Sequence, residues 1–296
     1  MGHGGEGNHV LSTQVGSGAD QKLRLCMLGC ETQPPYGPNA HTAQLLLDLL
    51  RLAAQQCQIN NLWIEITIYN VQAQEYPTDW NEYDGFLLPG SFSSAYDTDD
   101  WITTLKQVLQ QEIVARARPC LAICFGHQIL AHSFAPKGLA KATPSGARVG
   151  RHTVPCTQAG EALLGQSAID LFVSHGDMVE QLPDCAVSLG GNDQVPIQMA
   201  AYFSGAAAAQ QFPDVKPYAM TFQAHPEYAS SRELGLQQTL CGCMTAMEKK
   251  VGNIDAETHV RAKEDAEKEF DRVQKDSVAA IIRVARILGW FPAEEM

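Results

Sequence analysis

"PCLAICFGHQILAHSF", residues 119–134, decides the fold. Its first half is a short apolar run, which reads as a buried strand. Its second half, "GHQILAHSF", has helical character, and Cys124 stands at the junction with Gly126 two residues on. A sharp strand-to-helix turn of this kind lifts one side chain above the C-terminal edge of a sheet. That edge is where open α/β folds place their ligands.

Working outward, the same alternation recurs. "KLRLCMLG" (22–29), "LWIEITIYN" (62–70) and "DGFLLPG" (84–90) read as strands. "HTAQLLLDLLRLAAQQ" (41–56) and "DDWITTLKQVLQQEIVARA" (99–117) read as helices, the second opening on acidic residues. Strands alternating with helices predict an α/β fold: an open, mostly parallel sheet flanked by helices. After residue 146 the texture changes. "ARVGRHTVPC", "DLFVSH", "VPIQMAAYF" and "PYAMTFQAH" are strand-like with little helix between them, which predicts a small antiparallel extension. Helical segments over roughly 230–250 and 255–289 close the chain, the last charged early and apolar late. That charge run reads as a solvated face. With no internal repeat and no evident linker, residues 22–292 are expected to form one domain. The Gly-rich residues 1–21 are expected to be a disordered tail.

The 296 residues are 45% hydrophobic, ample for a sizeable core, and carry a formal net charge of −12. That charge argues against nucleic-acid and anionic-membrane partners, and no apolar stretch reaches the ~18 residues a bilayer span needs. The N-terminus lacks the apolar core of a signal peptide. Gly2 suggests myristoylation, but Glu6 stands where that motif wants Ser or Thr. Nine scattered cysteines in a chain without an export signal imply reduced thiols and a cytoplasmic protein. Cys241 and Cys243 read as helix packing, and Cys120, inside the apolar run, as a small buried hydrophobe.

Cys124 differs from these. A helix N-terminus lowers a thiol's pKa and can hold a developing oxyanion. A metal reading would recruit His127 and His132, but a separation of five places them on different helical faces, so no metal and no other cofactor is expected. A cysteine nucleophile needs a base with an orienting partner. "SHGD" offers His175 with Asp177, and "HPEY" offers His225 with Glu227. Pro226 keeps His225 out of the helical region, and in extended chain i and i+2 share a side, so Glu227 can reach the imidazole. Gly176 enforces no such alignment in "SHGD". The residues alone therefore favour His225 with Glu227.

Three segments taken in order, "LLPGSFSSAYD", "ICFGHQIL" and "FQAHPEY", resemble the class I (triad) glutamine amidotransferases, and most of all stand-alone members such as the plant γ-glutamyl peptidases. The resemblance covers roughly residues 22–290 and implies a flavodoxin-like sheet. It implies that Cys124 is the nucleophile, His225 the general base and acid, and Glu227 the orienting carboxylate. It also implies an oxyanion hole from the backbone of Phe125 with Gly90 or Ser91. Gln128 and the loop at Ser174 and His175 would hold the amino-acid end of a small γ-glutamyl substrate. Two departures stand out: Gly90-Ser91-Phe92 replaces the family's Gly-Gly-Pro, and "ARVGRHT" matches its Glu-Ile-Gly strand only weakly. The implied activity is hydrolysis of γ-glutamyl amides or peptides through a thioester. The rivals are a glutaminase subunit feeding a separate synthetase, a catalytically silent homologue with a binding or regulatory role, and a cysteine-dependent α/β-hydrolase. In that last class the acid precedes the His, whereas Glu227 follows it.

Overall fold

The computed structural model describes residues 9–18, 20–251 and 253–293. In chain order the strands are β1 (His9–Gly16), β2 (Gln21–Gly29), β3 (Asn61–Asn70), β4 (Gly85–Leu88), β5 (Cys120–Ile123), β6 (Leu139–Ala142), β7 (Arg148–Pro155), β8 (Ala168–His175), β9 (Asp177–Gln181), β10 (Ala186–Gly190), β11 (Met199–Tyr202) and β12 (Ala219–Phe222). The helices are α1 (Asn39–Gln56), α2 (Asp100–Val108), α3 (Phe125–His132), α4 (Gln158–Leu164), α5 (Ala206–Gln210), α6 (Cys241–Val251), α7 (Ala256–Lys268) and α8 (Phe270–Ile287).

Eight strands form the main sheet in the order β1-β3-β2-β4-β5-β12-β11-β10. The five central strands, β3 to β12, are parallel, while β1, β11 and β10 run antiparallel at the two margins. Burial on both faces explains why the central strands read as continuous apolar runs. Along β2, Leu23, Leu25 and Met27 enter one core with α1 and α8, while Cys26 and Leu28 enter the other with α2 and α3. Cys120 packs in that second core, fully buried. Two antiparallel pairs, β6–β9 and β7–β8, stand apart from the main sheet as the extension.

Two expectations need correction. Residues 9–16 are not a tail but an edge strand, paired with β3 from His9↔Ile68 to Gly16↔Asn61. Main-chain pairing and the inward turn of Val15, which is buried, order a segment whose polar composition reads as disordered. Residues 1–8 of the expected tail lie outside the described residues. The segment "PYAMTFQAH", expected in the extension, supplies β12, which lies parallel to β5 with Phe222 beside Ile123. The residues leaving β5 and β12 therefore emerge side by side on one sheet edge. The closing helical run also divides in two. α7 buries only Ala266, whereas α8 buries nine residues, and Phe270 at their junction packs on Phe172 of β8 with ring centroids 6.1 Å apart. Among the described residues, no helix is long and apolar enough to cross a membrane.

Candidate active site

At the end of β5 the backbone of Cys124 turns through φ 53°, ψ −107°, a conformation that costs a residue with a side chain about 1–3 kcal/mol. The turn is clamped on both sides. Cys124 N–H donates to Phe222 O at 2.7 Å and Gly126 N–H to Pro89 O at 3.1 Å. A Cβ on Gly126 would lie 2.1 Å from Leu88 O, so only glycine permits this approach. The Cys124 side chain faces the Ser174 carbonyl, its Sγ 3.9 Å from that oxygen, and accepts from Gln223 Nε2 at 3.8 Å.

His225 leaves β12 with its N–H donated to Phe172 O at 2.7 Å. Pro226 opens a short helical turn over Pro226–Ser230 that brings Glu227 back to the imidazole. His225 Nδ1 lies 2.7 Å from Glu227 Oε1, and both side chains are buried. The ring stacks on Tyr228 with centroids 4.1 Å apart and on Tyr36 at 5.8 Å. Its other nitrogen, Nε2, is buried without a hydrogen-bond partner. Burial opposes charging His225, but the Glu227 carboxylate and the Cys124 sulfur outweigh it and push the imidazole up to about 10. Gly90 joins the two halves. A Cβ placed there would sit 3.1 Å from His225 Cε1 and 3.7 Å from Cys124 Cβ. Cys124, His225 and Glu227 are thus brought together.

The rival pair does not form. His175 Nδ1 donates to the backbone oxygen of Asp177 at 2.8 Å, while the Asp177 carboxylate accepts from Ser94 Oγ at 2.6 Å and Tyr96 Oη at 2.9 Å. Burial pushes the His175 imidazole down to about 3, leaving it neutral. His127 is likewise buried and pushed down to about 4, with Nδ1 2.7 Å from Thr221 Oγ1. His132 Nδ1 accepts from Ala140 N–H, so the two histidines of α3 serve separate contacts. Among the described residues no group of three or more His, Cys, Asp or Glu could hold a metal ion.

A cavity of about 230 Å³ opens over Cys124, and Gln128, Ser91, Ser174, His175 and Asp177 also line it. Gln128 Nε2 donates to Asp177 O and to Gln223 Oε1, both at 3.1 Å. Met247 of α6 and Asn253, beyond that helix, also line the cavity. Phe125 N–H is the first of α3, whose opening N–H groups have no intrahelical acceptor.

Three residues escaped the sequence reading. Glu31, following β2 and 6% exposed, accepts from Thr32 and Gln33 N–H at 2.9 Å through Oε1. Its Oε2 accepts from Ser91 Oγ at 3.3 Å and Phe92 N–H at 3.1 Å, which ties the loop after β4 to the loop after β2. Tyr36 donates to Ser174 O at 2.9 Å, and Gln223 bridges Cys124 and Gln128. Gln223 lies inside "FQAHPEY" and its position two residues before His225 was a usable signal. A lone acid and a lone tyrosine in "CETQPPYG" carried none.

The sequence and the fold have counterparts among known proteins. The model of the glutamine amidotransferase class-I family matches residues 49–236, and the chain belongs to that family. Among curated proteins it is 29% identical over 169 residues to gamma-glutamyl peptidase 5 of Arabidopsis thaliana, a match covering 54% of this chain and 61% of that protein. It is also 29% identical over 199 residues to a glutamine-hydrolyzing GMP synthase of Porphyromonas gingivalis, covering 65% of this chain and 34% of the synthase. The chain therefore matches less than two thirds of the length of either relative. A crystal structure of a glutamine amidotransferase from Thermotoga maritima shares the fold, with TM-score 0.62 and 17% identity over 90% of this chain and 98% of that one.

Proposed function

We propose that the protein hydrolyses γ-glutamyl amide or peptide bonds through a thioester on Cys124. The observation that carries this reading is the placement of His225: Nδ1 is held by Glu227, and the ring and the Cys124 side chain both border Gly90, a Cβ there lying 3.1 Å from His225 Cε1 and 3.7 Å from Cys124 Cβ. In this mechanism His225 takes the thiol proton. The Cys124 sulfur attacks the γ-carbonyl carbon, forming the C–S bond and moving the C=O electron pair onto oxygen. The oxyanion rests on N–H of Phe125 and of Gly90 or Ser91, each such donor worth roughly 3 kcal/mol in rate. The tetrahedral adduct collapses, the C–N bond breaks, and the leaving nitrogen takes the proton from His225. Water, giving a proton back to His225, then cleaves the thioester to glutamate. Gln128 with the Ser174–His175 loop holds the amino-acid end of the substrate. The substrate is a small molecule, and the protein acts in the cytoplasm.

The test is incubation of the pure protein with glutamine, glutathione and γ-glutamyl dipeptides, reading released glutamate. Steady turnover that disappears in Cys124→Ser is expected, and no release from any of them would refute the assignment. The similarity to a glutamine-hydrolyzing GMP synthase supports a second reading, a glutaminase component delivering ammonia to a separate synthetase. Turnover restricted to glutamine and raised by a partner would favour that one.

A further inference from the structure

The loop after β4 lies against the reacting cysteine. A Cβ on Gly90 would sit 3.7 Å from Cys124 Cβ, and Ser91 lines the cavity over that thiol. Two residues of the loop depart from the family's Gly-Gly-Pro, Ser91 at the second glycine and Phe92 at the proline. Proline fixes φ near −65° and has no N–H. Phe92 has the N–H and lacks the restraint. A loop that presents backbone donors to one fixed point needs another anchor in place of that ring.

Both departures donate to one side chain. Ser91 Oγ and Phe92 N–H reach Glu31 Oε2, at 3.3 and 3.1 Å. Ser91 Oγ accepts in turn from Ser93 N–H at 3.1 Å, so the next residue is held through the same hydroxyl. Glu31 is itself fixed. Its N–H donates to Asn39 Oδ1 of α1 at 3.1 Å, and its Oε1 accepts from Thr32 and Gln33 N–H. Gln72 braces the same segment, donating to Cys30 O at 3.0 Å and accepting from Thr32 Oγ1 at 3.2 Å. Four donors thus converge on one buried side chain. A carboxylate only accepts and has about four lone-pair sites, so it suits this set where an amide does not. A negative charge would oppose an oxyanion forming nearby. The value of Glu31 there lies in the donors it holds.

We propose that Glu31 is a positioning residue that anchors the oxyanion loop in place of the family's proline. It fixes Ser91 and Phe92 by hydrogen bonds and so sets where the N–H groups of Gly90 and Ser91 point. Its catalytic meaning rests on the hydrolase reading, but the anchoring is testable without it.

The experiment is a double-mutant cycle in the full chain: Glu31→Gln, Phe92→Pro and the two combined. Amide exchange at Ser93 reports the anchoring whether or not the protein is a hydrolase. Affinity for a γ-glutamyl aldehyde, which forms a tetrahedral adduct on Cys124, is compared with affinity for glutamate, which forms none. With Phe92 in place, Glu31→Gln is expected to speed exchange and weaken the aldehyde about tenfold each, with glutamate held within about twofold. In the Phe92→Pro background the same change should cost less than about threefold, because the ring now restrains the loop. Equal costs in the two backgrounds would overturn the proposal, as would equal weakening of aldehyde and glutamate. Glu31→Asp keeps the test valid if Glu31→Gln does not fold. It retains the charge but is one methylene, about 1.5 Å, too short to hold both loops. It should move exchange and aldehyde affinity in the same direction by about threefold or more, and no change in either would also overturn the proposal. If the parent protein binds neither ligand, the hydrolase reading falls and the exchange cycle alone decides the anchor.

Discussion

Glu227→Gln changes one atom type in a buried contact. In the protein as it stands Oε1 lies 2.7 Å from His225 Nδ1, and burial alone would drive the imidazole toward its neutral form. The carboxylate, with the Cys124 sulfur, reverses that and raises the imidazole to about 10. The amide keeps the shape but removes the charge. It can also present its NH2 to Nδ1 and so leave the ring proton on Nε2, where it cannot accept one from Cys124. A hydrogen bond to a charged group is worth about 1.5–3 kcal/mol, and losing the correct tautomer in an analogous serine-protease triad costs ~10⁴ in kcat. We therefore expect kcat to fall about 10²–10⁴-fold with little change in KM. The alkaline limb of the kcat profile should move to lower pH, because the imidazolium is no longer held. By linkage, a raised folded-state pKa gives stability that is full below the unfolded value near 6.5 and fades as pH climbs through about 10. That fading should flatten in the variant. The assay is glutamate release across pH 5–10, about the usable range of such buffers, with melting curves on the same samples. Full turnover with an unmoved alkaline limb would refute the role given to Glu227.

Gly90→Ala places a methyl 3.1 Å from His225 Cε1, tight enough to displace the ring by a few tenths of an ångström. A loss of about tenfold in kcat with a normal melt is expected, and unchanged kinetics would contradict the placement of the ring. Glu31→Gln leaves an amide facing three backbone N–H groups and a hydroxyl that one carboxylate now accepts. The loop carrying Gly90 and Ser91 should loosen, lowering kcat about tenfold and weakening a γ-glutamyl aldehyde inhibitor while glutamate binding is unaffected. Equal weakening of both ligands would point to a general structural defect instead. His127 and His175 are pushed down by burial to about 4 and about 3, so the folded protein keeps them neutral while the unfolded chain protonates near 6.5. The contribution of these two rings to stability should be full above pH 6.5 and fall as pH drops toward 4, read as a melting temperature that declines on the acid side. A flat profile would contradict the burial of those rings.

The parallel sheet was legible because its strands are buried on both faces and advertise themselves as apolar runs, each followed by a helix. β1 was not, since an edge strand needs main-chain partners more than apolar side chains, and "HVLSTQVG" buries little beyond Val15. β12 reads locally like its antiparallel neighbours, and only its register against β5 reveals that it belongs between them and β5. In the site, Cys124, His225 and Glu227 were legible because a turn and a proline dictate their local geometry. Glu31 and Tyr36 act across the loops that the sheet edge gathers, 60 and 138 residues from their partners Ser91 and Ser174, and no local pattern encodes that. The rival His175–Asp177 pair was a plausible spacing that the fold spends otherwise, on Ser94 and Tyr96.

The central claim is that Cys124 is the reacting atom's owner, and thiol labelling tests it most directly. Cys57, Cys156 and Cys185 are more exposed than Cys124, which is only 4% accessible, so access alone would favour them. Burial pushes the Cys26, Cys30 and Cys120 thiols well up, and Cys243 up to about 12. With a limiting amount of a γ-glutamyl chloromethyl ketone and peptide mapping of the product, we expect one adduct, on Cys124, slowed by excess glutamate and missing in Glu227→Gln at matched times. Prior labelling of Cys57, Cys156 or Cys185, with Cys124 left unmodified, would contradict the account.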